Sequence, residues 1–119
     1  MHAQNISAKD QLTLAEKGAW ISLDGIKESP ESISKYTDYL VQLNKNGYIN
    51  QTLISQDAYW SVEIDESDEI YFQHHGSPYS AIFDVLIPAL QNAGFSSEDI
   101  NQLLISNPAK AYEIKILKL

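Results

Sequence analysis

A chain of 119 residues can build one domain with a modest core, but it falls far short of the ~250 residues of a complete eight-fold α/β barrel. Its 44% hydrophobic and 20% charged residues are ordinary for a globular protein and exclude disordered and collagen-like classes. A net charge of −8, with the basic residues scattered, argues against nucleic-acid backbones and anionic membranes as partners.

From Ser7 the pattern is helical. Ser7 is placed to cap with Asp10 three residues on, Leu12, Leu14 and Ala15 supply an apolar stripe, and Gly18 ends the helix. Ala19 to Leu23 is a compact apolar run suited to a buried strand, and it stops at an acid, Asp24. Ser29-Pro30-Glu31 then starts a helix, with Ser as cap, Pro at the first helical position and an acid near the positive end of the dipole. Ile33, Tyr36, Leu40 and Leu43 follow at helical spacing, and Gly47 closes it. A second buried strand is expected at Leu53-Ile54. Helix alternating with strand over short connections predicts βαβ units and a parallel sheet.

The second strand runs into Asp57-Ala58-Tyr59-Trp60, so two successive strands end in an aspartate. In parallel α/β architectures ligands bind where the strands end, which makes Asp57 the first candidate for chemistry and Asp24 the second. As a purely structural residue Asp57 would cap the turn. Residues 61–78 carry an acidic run, Glu63, Asp65, Glu66, Asp68 and Glu69, then His74 and His75. They read as a long functional loop, with the acids as a solvated face and the histidines on the surface or in a substrate pocket.

Ser80 to Asn92 reads as a helix with Ile82, Phe83, Leu86, Ile87 and Leu90 inward, bent near Pro88 and ended by Gly94. Ser96-Ser97-Glu98-Asp99 opens another, with Ile100, Leu103 and Leu104 buried, Asn107-Pro108 as its stop, and a short last helix from Pro108. The tail from Ile114 fits either a helix end or an extension. No run approaches the ~18 apolar residues of a membrane span and no signal-peptide core follows Met1, so a soluble, cytoplasmic protein is expected. Zero cysteines exclude disulfides and thiolate chemistry and restrict any metal to His and carboxylate ligands. Phosphate-cradling glycine loops, Gly-x-Ser-x-Gly elbows and His-Glu-x-x-His pairs are absent from the sequence.

The succession Gly18-Ala-Trp-Ile-Ser-Leu-Asp24, Leu53-Ile-Ser-Gln-Asp57-Ala-Tyr-Trp60, Ile87-Pro-Ala-Leu-Gln-Asn-Ala-Gly94 and Ile105-Ser-Asn-Pro-Ala109 resembles the C-terminal part of the phosphotriesterase family. That family belongs to the amidohydrolase superfamily of metal-dependent hydrolases on (β/α)8 barrels. The resemblance implies an α/β fold, a partial TIM barrel holding strands 6 to 8 with their helices, and residues 1–119 as the C-terminal portion of one hydrolase domain. It implies that Asp57 is the strand 8 aspartate, a metal ligand that also handles a proton. His2 falls where strand 6 ends in a ligand histidine, and Asp24 where a strand 7 aspartate lines the pocket. Tyr59 and Trp60 would form a substrate wall. The implied cofactor is a divalent metal, zinc first, binuclear in a complete barrel.

Two departures bear on substrate. Gly25 stands where some members have His or Arg after the strand 7 aspartate, and Asn5 stands where some have Asp after the strand 6 histidine. The proton relay of phosphotriester-cleaving members is therefore not evident, and esters or lactones are favoured over phosphotriesters. The 119 residues alone are expected to bind metal weakly, to turn over nothing, and to self-associate or pair with a companion chain, because three strands leave edges unpaired. A different class of function, a non-catalytic module holding a basic partner on acidic residues 63–69, would show partner binding that weakens with salt and ignores chelators.

Overall fold

The computed structural model describes residues 2–75 and 78–114, the side chain of residue 74 excepted. The expected helix starts form as their chemistry dictates. Ser7 caps α1 (Ala8–Glu16) by accepting from the Asp10 N–H at 3.1 Å. Ser29 caps α2 (Pro30–Lys45), whose inward residues are the four expected, Ile33, Tyr36, Leu40 and Leu43. Before Ser97 the reciprocal bonds between Ser96 and Asp99 make a capping box.

Between and after these helices run β1 (Ile21–Leu23) and β2 (Thr52–Ile54), paired in parallel with Ser22 opposite Leu53. On the other side of β1, His2 bridges Ser22, also in parallel, and the Ala3 N–H donates to the Ser22 carbonyl at 2.8 Å. Three parallel tracks in the order His2, β1, β2 thus end on one side, with α1 and α2 connecting them. β1 is fully buried at Ile21 and Leu23, whereas Leu53 and Ile54 are only half-buried, contrary to expectation. The cause is position: β1 is flanked on both edges, β2 on one.

The core lies between the parallel strands and their helices, and gathers Leu23, Ile26, Leu40, Leu43, Leu86, Leu90 and Leu103. In α1 the buried face is Gln11 and Ala15, with Leu12 and Leu14 only partly covered. Gln11 takes a core position because its Nε2 donates to the Ala3 carbonyl at 2.8 Å, which ties the helix back to the His2 segment.

Two corrections concern the C-terminal helices. Asn107-Pro108 does not stop its helix, and Pro88, expected at a bend, follows a widened turn. A wide-turn segment, Ile82–Leu86, leads into α3 (Ile87–Asn92), and another, Gln102–Ser106, joins α4 (Ser97–Asn101) to α5 (Asn107–Ala111). In each, the residue before the proline donates five residues back, Ile87 to Ile82 and Asn107 to Gln102. A proline ring collides with the carbonyl four residues earlier, and widening the preceding turn to π spacing relieves the collision without breaking the helix. Phe83, expected inward, is 58% exposed on the first of these wide turns.

The larger correction is at residues 61–78. In place of an irregular loop the chain forms an antiparallel hairpin, β3 (Tyr59–Ile64) with β4 (Ile70–His75), closed by a turn in which Asp68 adopts a positive φ of 62°. Pairs Val62–Phe72 and Ile64–Ile70 lie across from one another, yet all four side chains are more than half exposed. The radius of gyration is 16.9 Å, against about 13.5 Å for a compact domain of this size. The end of the tail, residues 115–119, lies outside the described residues.

Candidate functional site

All three parallel tracks run the same way, and Asp24 and Asp57 follow the ends of β1 and β2. Asp24 immediately follows β1. Its Oδ2 lies on Nδ1 of His2, its Oδ1 accepts from the Ser22 hydroxyl at 3.1 Å, and its backbone N–H donates to Gln4 Oε1 at 3.4 Å. A carboxylate can only accept, so Nδ1 carries the proton of this contact and Nε2 is the ring nitrogen left to face outward. The imidazole is 81% exposed while the Asp24 side chain is only 16% exposed. The acid is therefore a built-in holder and the histidine the presented group. The sequence placed both residues at the mouth but not in contact, because their pairing depends on a bridge between tracks 20 residues apart, His2 beside Ser22.

The Tyr36 hydroxyl, from α2, donates to the backbone carbonyl of Asp24. Burial, then the neighbouring Asp24 charge and Tyr39, push the Tyr36 phenol above its ordinary value, which keeps it a donor. Gly25, at φ 76°, turns the chain away directly after the acid, a conformation that a side chain would strain. The Ser55 N–H then donates to the Leu23 carbonyl and the Ile26 N–H to the Ser55 carbonyl, both at 3.1 Å, extending the β1–β2 alignment past the formal strand ends.

Asp57 lies three residues beyond β2 at φ 51°, exposed, with its N–H donating to the Ser55 hydroxyl at 3.1 Å. A left-handed aspartate is uncommon enough to invite a functional reading. It borders a cavity of about 320 Å3 lined by Ser55, Gln56, Ala58, Tyr79 and Ile82, where the Gln56 amide donates to the Tyr79 carbonyl. No ion pair holds its carboxylate among the described residues. Tyr59 and Trp60, expected as a substrate wall, are 53% and 57% exposed in β3, with Tyr59 stacked on His75 at 4.8 Å. His75 also shares its Nε2 with the Ser61 hydroxyl at 2.7 Å. No three His, Asp or Glu side chains among the described residues converge closely enough to form a metal site by themselves.

Sequence reasoning overlooked Asn107. It is fully buried, and its Nδ2 donates to the Ile49 and Thr52 carbonyls, both at 2.7 Å, while its Oδ1 accepts from Gln102 Nε2 at 2.6 Å. The residue taken for a helix stop therefore fixes the start of β2, the strand that carries Asp57. The signal was available: Asn107 follows Ile100 and Leu103 at the three- and four-residue spacing of an inward face.

A family model described as the phosphotriesterase family matches residues 2–112. The chain belongs to the phosphotriesterase family. A relative from Dictyostelium discoideum, named N-acetyltaurine hydrolase, is 34% identical over 77 residues, 65% of this chain and 19% of the relative. A phosphotriesterase homology protein from Escherichia coli, crystallised with phosphate in its active site, superposes with a TM-score of 0.67 at 22% identity, over 90% of this chain and 35% of that one. A resiniferatoxin-binding protein from Rhodobacter sphaeroides gives the same TM-score at 19% identity, over 90% and 30%. These two likenesses show the fold, a mixed α/β arrangement like that of phosphotriesterase homology proteins. The chain spans between about a fifth and about a third of the length of these relatives. Among the described residues no helix is long and apolar enough to cross a membrane.

Proposed function

We propose that this phosphotriesterase-family chain is the C-terminal portion, strands six to eight, of a metal-dependent hydrolase barrel that cleaves carboxylic esters or lactones. The observation that carries the reading is the His2–Asp24 pair, because a ligand histidine characteristically donates its other ring N–H to a carboxylate. The donor set fits a divalent metal. His2 offers Nε2, a borderline imidazole nitrogen, and Asp57 an exposed, uncommitted carboxylate; the combination suits Zn2+ or Mn2+. When bound, such a metal supplies hydroxide near neutral pH by lowering the pKa of its water from ~15.7 towards ~7.

The chain's own residues then have definite tasks. Asp24 fixes the ring of His2, and Asp57 receives and holds a proton at a carboxylate oxygen. Tyr59 and Trp60 bound the substrate where β3 leaves the mouth. The same two metal ligands are too few for a closed site, so the 119 residues by themselves bind metal weakly and do not turn over. The exposed apolar side of the hairpin and the free edge of β2 favour self-association or a companion chain.

A second reading, cleavage of an amide instead of an ester, is favoured by the relative named N-acetyltaurine hydrolase. In metal-loaded, hydrolytically active protein, Asp57→Asn lowers kcat by a factor of about 100 or more, in keeping with loss of a general base. Activity within threefold of the parent would end the assignment of Asp57 as base.

A further inference from the structure

Beside the His2–Asp24 pair, between the segment after His2 and the turn from β1 into α2, lies a cavity of about 370 Å3. Lys27 and Lys35 stand on its walls with Gln4, Asn5 and Gly25. We propose that this cavity is a subsite for an oxyanion carried by the substrate, a carboxylate or sulfonate group remote from the bond being cut. The proposal rests on the hydrolytic reading for what happens at the neighbouring site, but not for binding itself.

Both ammonium groups are available. Among the described residues the ion pairs are His2 with Asp24 and His75 with Glu63, and neither lysine takes part in one. In a chain of net charge −8, two lysines on one hollow balance its two acids, Asp24 and Glu31. Lys35 is held in place: its Nζ lies 5.7 Å from the Tyr36 ring centre and 5.8 Å from that of Tyr39, rings packed edge to face at 6.4 Å. The turn bearing Lys27 is pinned by its own N–H donating to the Ser32 hydroxyl at 3.0 Å.

Two acids border the same hollow, Asp24 and Glu31. Asp24 is already engaged by the His2 ring and the Ser22 hydroxyl. Glu31 sits in the first turn of α2, where the helix dipole satisfies it. The Tyr36 hydroxyl is committed to the Asp24 carbonyl and so is not a donor to the ligand. That leaves the two ammonium groups, with the side-chain amides of Gln4 and Asn5, as the donors for an anion. Asn5 and Gly25 both open onto this cavity. What those small, neutral residues leave is room for a charged substituent.

The test is a nitrogen–proton NMR titration of the whole chain with methanesulfonate and with dimethyl sulfone, its neutral counterpart. Saturable shifts at the Gly25, Lys27 and Ser32 amides and the Gln4 and Asn5 side-chain amides are expected with methanesulfonate alone. Lys27→Gln/Lys35→Gln weakens this binding about tenfold or more, a factor in keeping with the loss of charge-assisted contacts, while Lys35→Arg retains it. Lys9→Gln/Lys45→Gln, which alters charge away from the cavity, leaves it unchanged. Absence of saturable shifts, equal shifts with dimethyl sulfone, or a double variant that binds like the parent would overturn the proposal. The titration requires neither metal nor turnover. A failure here leaves the hydrolytic reading standing, and loss of that reading at Asp57 leaves this binding intact.

Discussion

Removing the Asn107 side chain tests how the fold holds the strand that delivers Asp57. Asn107 makes three side-chain hydrogen bonds of 2.6–2.7 Å from a fully buried position, two to the carbonyls of Ile49 and Thr52 and one from Gln102. Each contributes a net ~1 kcal/mol, and the partners left behind lose part of their solvation, so Asn107→Ala costs about 3–4 kcal/mol. Against a domain stability of about 5–15 kcal/mol that is a large fraction, and it lowers Tm by about 10 °C or more. Asn107→Asp keeps the shape but sets a carboxylate oxygen against two carbonyl oxygens, and at neutral pH it destabilises more than Ala. Urea unfolding followed by far-ultraviolet circular dichroism measures both variants. A loss below about 1 kcal/mol for Ala, or an Asp variant as stable as the parent, would refute the role of the amide as donor to both carbonyls.

Two further predictions concern the hairpin. Asp65 accepts from the Ser67 hydroxyl and from the Ser67 and Glu69 N–H groups, and these bonds, the Ser67 hydroxyl first, hold its carboxyl below the usual 3.8. A depressed carboxyl stabilises the folded turn fully above its unfolded value and loses that contribution as pH falls through the lowered one. The Ser67 and Glu69 amide resonances should therefore move toward unstructured values below pH 3.8, and Asp65→Asn should abolish that acid-linked change. Persistence of the change in the variant would place its origin elsewhere. The exposed apolar side chains Val62, Ile64, Ile70 and Phe72 predict association, reduced by Val62→Thr/Phe72→Thr; sedimentation showing the parent as a compact monomer at high micromolar concentration would contradict this.

What the sequence discloses here follows the range over which each feature is determined. Helix starts at Ser7, Ser29 and Ser96 are legible because a cap is a contact across three residues. The parallel pairing of β1 with β2 is legible because an apolar run followed by a capped helix and another apolar run permits little else. The hairpin is present as alternation, Trp60, Val62 and Ile64 against Ser61 and Glu63, but its apolar side is the exposed one, so no buried apolar face marks the strands and the acidic turn residues dominate. Asn107-Pro108 was misread as a stop because a wide turn, a response of the backbone to the ring, leaves no residue signature of its own.

The candidate site divides in the same way. That Asp24 and Asp57 end neighbouring strands is readable from position along the chain. That His2 rests on Asp24, and that Asn107 anchors β2, depends on register between segments 20 and 55 residues apart, which local pattern does not encode.

We propose that Nε2 of His2 and the carboxylate of Asp57 serve one divalent cation where the parallel strands end. A zinc titration followed at the His2 ring nitrogens measures this directly. Weak, saturable binding that shifts Nε2 while Nδ1 keeps its proton, and that is lost in Asp57→Asn, is the expected result. Zinc that leaves the His2 ring unperturbed, or that binds the Asp57→Asn chain as well as the parent, would contradict it.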